Sequence, residues 1–393
     1  MPVIGLALLL APVSLLGCNS VLDLPERPTC SEGLRNCAFA HQLELRFDNS
    51  ARTENLIDFP VLVTLTPSRV SYQDLREDAA DIVFLDGDLE TILAHEIETW
   101  NPGGESLIWV KVPQIDGGSA EDRIVLVYGN SEVTNPSNPG EVWSDRFETV
   151  HHFADMSEGA TTVTDSTRNG RDGTILGPLG SGQGPLGNAL RFGPDTGDGG
   201  YATLGDVDIL EPLVGSQTTI EMWFQPENRM EQKIDRYYLY QKQTRCAGVY
   251  VRILGDGTVQ GAVQNVEPNE QCGEGRYTAI MQAQNDQWYR AVLTIDRPSE
   301  GNLNLCIDVR RRGDLSTLDS SRCAGGEVFY QLESVDGAHL GIADPNQAPP
   351  FVGTERFEGL IDEFRVSSTI RSADWIDAQH ASMNDALITY GDE

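Results

Sequence analysis

The sequence predicts an all-β protein: two antiparallel β-sandwiches in tandem, followed by a short C-terminal helix. Three observations predict this. From His41 onward, short apolar runs with a period of two recur, separated by Asp, Gly and Asn clusters. The chain carries 39 glycines and 20 prolines scattered between those runs, so many turns are required. A polar stretch, Asn135-Pro136-Ser137-Asn138-Pro139-Gly140, divides one strand-rich region from the next. A chain of 393 residues is long enough for about two or three domains.

Residues 1–18 come first. Val3 to Leu16 are nearly all apolar and end in Leu15-Leu16-Gly17-Cys18. This ending resembles a bacterial lipobox, where a signal peptidase cuts before the Cys and its sulfur carries a diacylglycerol. The apolar run is shorter than the roughly 20 residues a helix needs to span a bilayer, and it suits a cleavable signal. No Lys or Arg precedes it, a departure from export signals. An ordinary secretory signal and an apolar strand are the other readings. The resemblance implies lipidation at Cys18 and an exported chain tethered to the cell envelope, with the membrane as a partner through that lipid. Asn19, not Asp, follows the Cys, which points to the outer membrane. Residues 19–40, with Leu24-Pro25-Glu26-Arg27-Pro28, read as a tether.

The first sandwich is expected over 41–135. Leu43, Leu45 and Phe47 alternate with Glu44 and Arg46, and Asp48-Asn49-Ser50 makes a turn. Further strands are expected at 59–65, 82–85, 107–112 and 124–128, with turns at Asp86-Gly87-Asp88 and Asp116-Gly117-Gly118. Six blocks occur in order: Asp48-Asn49-Ser50, Phe59-Pro60-Val61-Leu62-Val63, Ala80-Asp81-Ile82-Val83-Phe84, His95-Glu96-Ile97-Glu98-Thr99-Trp100, Trp109-Val110-Lys111-Val112-Pro113 and Tyr128-Gly129-Asn130. They resemble the domain of unknown function 2341. That resemblance implies a β-sandwich of exported bacterial proteins and no reaction.

Residues 136–144 read as a linker. The second region is expected over 145–370, with strands at 219–226, 287–296, 339–342 and 357–367. These segments, with Asp165-Ser166-Thr167-Arg168-Asn169-Gly170 upstream and the ending Ile361-Asp362-Glu363-Phe364-Arg365-Val366-Ser367, resemble a laminin-G-like, concanavalin A-like jelly roll. Over 371–393, Ser372 begins a short helix and tail, with Ser372 as its cap.

The formal charge of -32 disfavours nucleic acid, which needs a basic footprint. Of seven Cys, six remain after Cys18; an even set in an oxidising compartment reads as disulfides. Proximity pairs Cys30 with Cys37, Cys246 with Cys272 and Cys306 with Cys323, among 15 possible pairings. A zinc site is the alternative, but no Cys-x-x-Cys occurs.

Glycoside hydrolysis needs paired carboxylates on one face. Glu-x-Asp-x-x-Glu and Glu-x-Asp-x-Glu are both absent, and Glu221 stands alone in its strand. Adjacent Asp362 and Glu363 are expected on opposite faces of a strand, as are His151 and His152. The jelly-roll resemblance implies one structural calcium ion, for which Asp165, Asn169 and Asp362 offer hard oxygen ligands. Self-capping of an Asp turn is the competing reading of Asp165, and Asp195-Thr196-Gly197-Asp198-Gly199 is a weaker second loop. Alternation puts Tyr238 and Tyr240 on one face, either as core or as a surface for a glycan. The expectation is a surface-anchored, non-catalytic binding or adhesion protein with a glycan or surface-protein ligand. An envelope spacer and a glycan-active hydrolase are the alternatives.

Overall fold

The computed structural model describes residues 39–392 except 158, 194–199, 205–214, 228–235, 245–246, 265–275, 300, 317–320, 329–337 and 343–355. Cys18, Cys30, Cys37, Cys246, Cys272 and the Asp195–Gly199 loop lie outside the described residues.

The first sandwich is built from β1 (His41–Phe47), β2 (Leu56–Leu65), β3 (Val83–Leu85), β4 (His95–Thr99), β5 (Ser106–Ile115) and β6 (Arg123–Tyr128). One sheet is β2-β5-β4; the other holds β1, β6 and β3. The period of two in β1 sends Leu43, Leu45 and Phe47 into the core, while Glu44 pairs with Arg46 at 2.6 Å outside it.

After α1 (Pro139–Val142) the second sandwich begins. Its strands are β7 (Phe147–His151), β8 (Thr162–Val163), β9 (Gly173–Leu176), β10 (Gly180–Gln183), β11 (Asn188–Phe192), β12 (Tyr201–Leu204), β13 (Gln217–Pro226), β14 (Arg236–Thr244), β15 (Ala247–Leu254), β16 (Thr258–Gln264), β17 (Arg276–Gln282), β18 (Tyr289–Ser299), β19 (Gly301–Arg311), β20 (Ser321–Val328), β21 (Ala338–Leu340) and β22 (Gly359–Ser367). One sheet runs β10-β11-β22-β13-β18-β19-β20, with β7 also on β22. The facing sheet runs β17-β16-β15-β14-β21-β12-β9-β8. Leu190, Ile220, Leu293, Ile361 and Phe364 fill the space between them. This is the expected jelly roll. Cys306 and Cys323 sit opposite each other on β19 and β20 and are joined, as expected from their proximity.

The chain ends with α2 (Ala373–Met383) and β23 (Ile388–Tyr390). Ser372 Oγ accepts from Trp375 N at 3.0 Å, the expected cap. Both elements return to the first sandwich: Trp375 meets Phe59 edge-on at 4.6 Å, and β23 pairs antiparallel with β1. The segment read as a linker over 136–144 is packed as well. Ser137 Oγ accepts from Ile97 N at 3.0 Å, and Trp143 is buried in the first sandwich's core. Burying a large apolar side chain is worth about 1.5–3 kcal/mol, which favours docking over a free linker.

The two sandwiches therefore share a junction. Every residue of β22 is buried: its inner side faces the jelly-roll core, and Asp362, Glu363 and Arg365 on its other side face the first sandwich. No helix among the described residues is long and apolar enough to cross a membrane.

Candidate functional site

The junction gathers acids from three places. In β4, Glu96 lies opposite Trp109, and the pairing then slips: Ile97 faces Ile108 and Thr99 faces Leu107, leaving Glu98 as an extra residue. In β22, Asp362 faces Trp223 and Arg365 faces Glu221, so two residues of β22 lie across from Met222 alone. Glu363 takes up this slack with φ 52, a left-handed conformation uncommon for a side-chain-bearing residue. The bulge corrects the expectation of opposite faces. Ile361 and Phe364 point into the jelly-roll core, while both Asp362 and Glu363 join the junction.

His151 and His152 diverge as expected. His151 stacks near Phe153 and Phe364, each at 6.3 Å, and its Nδ1 donates to Thr164 O at 2.8 Å. His152 enters the acid cluster, next to Phe153 at φ 60. Its Nδ1 lies 2.6 Å from Glu363 Oε1 and 3.5 Å from Glu98 Oε2; its Nε2 lies 3.2 Å from Glu96 Oε2.

Each acid has a further partner. Glu98 Oε2 accepts from Trp109 Nε1 at 2.6 Å. Glu96 accepts from Trp143 Nε1 and, at 2.7 Å, from Ser166 Oγ. Glu363 Oε2 accepts from Arg365 Nη2. The Arg365 guanidinium is fully buried against the rings of Trp109 and Trp143, 4.3 and 4.6 Å from their centroids. Asp362 accepts from Leu186 N at 3.2 Å and Glu363 N at 2.9 Å.

Burial sets the charge pattern. It pushes the Glu98 and Asp362 carboxyls well above the usual carboxylate range, and the neighbouring Glu363 charge pushes the same way. For His152 burial opposes the charge, but Glu363 and Glu96 outweigh it and hold the imidazole well above its ordinary value. Burial likewise opposes ionisation of Glu96, and His152 with the hydrogen bonds from Ser166 and Trp143 outweighs it.

Two clefts open beside the cluster. One of about 240 Å³ is lined by Glu96, Glu98, His152, Thr164 and Ser166. The other, of about 490 Å³, is lined by Trp100, Asn101 and Glu105 of the first sandwich and by Gln183, Gly187 and Asn188 of the second. Gly187, at φ 76, permits the close approach: a Cβ there would lie 2.9 Å from Thr99 Oγ1.

Each of the expected calcium ligands has protein partners of its own. Asp165 Oδ1 accepts from Val150 N and Thr167 N, and Oδ2 from Thr167 Oγ1 and Arg171 N. It is a turn cap: three of its four donors are backbone N–H groups. Asn169 Nδ2 donates to Glu148 O at 3.0 Å, and Asp362 is held on Leu186 N instead. Among the described residues, the His, Cys, Asp and Glu atoms close enough to share an ion belong to Glu98, His152 and Glu363. Tyr238 and Tyr240 do not share a face. The register of β14 slips between them, which sends Tyr240 onto Phe364 in the core at 5.2 Å and Tyr238 to the outer side against Tyr250 at 5.4 Å. Both are buried.

Glu96, Glu98 and His152 are the site residues that sequence reasoning missed. The signal was present: Glu96 and Glu98, two apart in a short β-like block, with an adjacent His pair further along the chain.

Among solved structures, a botulinum neurotoxin serotype D/C binding domain is similar over 61% of this chain and 52% of its own length, with 11% identity and a TM-score of 0.37. The binding domain of botulinum neurotoxin DC in complex with rat synaptotagmin II gives 61%, 52%, 11% and 0.38. A structure of botulinum neurotoxin type C, whose cell entry depends on interaction with two ganglioside molecules, gives 61%, 51%, 11% and 0.40. The chain spans about half the length of each. No curated protein matches it. Residues 78–168, past the residue 135 boundary expected from sequence, match the family profile of the domain of unknown function 2341. Residues 195–377 match that of the concanavalin A-like lectin/glucanases superfamily, so a match to the first family is followed along the chain by a match to the second.

Proposed function

We propose that this protein is a non-catalytic glycan-binding protein, and that the glycan occupies the cleft of about 490 Å³ at the sandwich junction. The lining of that cleft carries the reading. A sugar offers C–H faces to an aromatic ring and hydroxyls to amides and carboxylates. Trp100 supplies the ring, and Asn101, Gln183, Asn188 and Glu105 supply the polar groups. The Gln183 and Asn188 amide nitrogens donate to Gly187 O at 2.9 Å and Ala154 O at 3.0 Å, which fixes those side chains in place. The concanavalin A-like match of the second sandwich agrees with a carbohydrate- or protein-binding role. Support for a non-catalytic role comes from the neighbouring acids: Glu96, Glu98 and Glu363 are each held by Trp, Ser or Arg donors rather than presented to solvent.

The full chain should bind a subset of a glycan array. Trp100→Ala and Gln183→Ala should each weaken the best ligand at least tenfold in calorimetry, Gln183→Ala with little change in melting temperature and Trp100→Ala with some loss because the ring also packs on Tyr72 at 5.2 Å. No bound glycan, or unchanged affinity in both variants, would sink the proposal. Release of reducing ends that Glu98→Gln abolishes would replace a binder with a hydrolase.

The anchor belongs to the same reading and rests on Leu15-Leu16-Gly17-Cys18. A fatty-acid analogue should label the wild-type chain in cells, in the outer-membrane fraction, and should not label Cys18→Ser. Equal labelling of the two ends the lipoprotein reading.

A further inference from the structure

One ligand-capable atom each from Glu98, His152 and Glu363 lies within 4.8 Å of the other two. Three acidic or imidazole groups close together are common, so the surroundings decide what they can do. Glu98 Oε1 has no hydrogen-bond partner although its side chain is 0% exposed. An unpaired carboxylate oxygen in the interior is costly unless something satisfies it. Four carboxyl groups, Glu96, Glu98, Asp362 and Glu363, gather around one imidazole and the Arg365 guanidinium, more oxygen donors than those two cations can engage.

We propose that Glu98, His152 and Glu363 bind one divalent transition-metal ion of the zinc type at the junction of the two sandwiches.

The groups around the three residues are those a metal site needs. A ligating imidazole is oriented by a carboxylate on its second nitrogen, and ligating carboxylates are themselves hydrogen-bonded. His152 Nε2 meets Glu96 at 3.2 Å, and Glu96 is fixed in turn by Trp143 and Ser166. Trp109 Nε1 holds Glu98 at 2.6 Å, and Arg365 holds Glu363. All three candidate ligands sit at or beside irregular backbone: Glu98 and Glu363 are bulged, and His152 precedes Phe153 at φ 60. Bulges and left-handed residues of this kind re-aim side chains and cluster at functional sites.

The distances fit with a small adjustment. Ligand atoms about 2.0–2.2 Å from a tetrahedral zinc ion stand roughly 3.3 Å apart. His152 Nδ1 and Glu98 Oε2 are 3.5 Å apart; His152 Nδ1 and Glu363 Oε1 are 2.6 Å apart because a proton now joins them. The ion takes the place of that proton, and the pair widens. The cleft of about 240 Å³ beside the cluster provides entry and room for a fourth ligand, water. One nitrogen and two carboxylate oxygens suit zinc or its first-row neighbours, whereas calcium takes oxygen ligands throughout. Glu98 borders both clefts, whereas His152 and Glu363 do not line the larger one, so zinc binding can be read without any glycan and its failure leaves the glycan reading standing.

The test is calorimetric titration of chelator-treated full chain with Zn2+, in excess Mg2+ to occupy the acidic surface. Wild type should bind one equivalent. Glu98→Gln and His152→Gln should each bind at least tenfold more weakly while retaining the far-ultraviolet spectrum of wild type. Crystals soaked in Zn2+ supply a measurement that needs no variant: anomalous scattering at the zinc edge should peak between Glu98, His152 and Glu363. Absence of saturable binding, equal binding by both variants, or an anomalous peak only elsewhere overturns the proposal.

Discussion

His380 in α2 shows how one buried residue sets a pH limit. Its ring stacks on Trp223 at 5.5 Å, its Nε2 donates to Asp314 O at 2.9 Å, and its Nδ1 has no partner. Burial pushes its pKa down first, and the charges of Arg290 and Arg310 push further, to about 3. The unfolded chain binds this proton near the ordinary value of 6.5, so acid favours unfolding. The stability from a neutral His380 is fully present above that value and is lost as pH falls through the window towards about 3. Each pH unit of displacement is worth about 1.4 kcal/mol. His95 adds a parallel loss, since burial pushes it down to about 4. Denaturant midpoints measured from pH 7 to pH 3 should fall more steeply for wild type than for His380→Gln, which keeps the His95 share. Parallel acid limbs would rule His380 out as a source. None of this was legible in the sequence, because the two arginines lie on strands of the jelly roll about 90 and 70 residues earlier in the chain.

At the scale of elements, alternation was readable where a strand has one wet face and one dry face. β1 is such a strand, and the helix start at Ser372 was readable from its cap. The pairing of Cys306 with Cys323 was readable because their strands are neighbours in sequence. Alternation failed at the bulges. An extra residue at Glu98, at Glu363 and between Tyr238 and Tyr240 reverses the face of every later residue in its strand, and each bulge is set by the register against a partner strand, the next strand in sequence for β4 and β14 and the distant β13 for β22, which alternation within one strand does not reveal. The candidate site sits on two of these three slips: β22 was expected as a strand but its two acids were put on opposite faces, and β4 was not among the expected strands. β22 was read as a strand, but its burial on both sides was not foreseen. Asp362, Glu363 and Arg365 look like a solvated face until the first sandwich covers them. β23 carried no local signal at all, since its partner β1 lies at the other end of the described chain.

At the scale of the whole molecule, α2 and β23 decide whether the sandwiches behave as two bodies or one. Asp377 of α2 receives Arg52 of the first sandwich and Arg310 of the second, each at 2.6 Å. Asp374 accepts from Thr53 N at 2.8 Å and Glu54 N at 3.0 Å. Arg290, paired with Glu221 inside the jelly-roll face, donates to Ile376 O at 2.8 Å. The apolar core of the first sandwich continues through Trp143 and Trp375 to Trp223 of β13. Unfolding either sandwich alone would expose this shared apolar surface and strip partners from charges buried at the junction; losing one partner of a buried pair costs about 3–5 kcal/mol. Joint unfolding avoids a half-folded state of that kind, so the full chain should melt in one calorimetric transition whose enthalpy equals the van 't Hoff value. A chain ending at residue 370 loses α2 and β23 and with them the Asp377 bridge, the Trp375 contact and the β1 partner strand. Its first sandwich should melt at a lower temperature, separated from the jelly roll as two transitions. Two resolved transitions in the full chain would mean that the junction does not couple the sandwiches; a single unshifted transition in the shortened chain would mean that α2 and β23 are not what couples them.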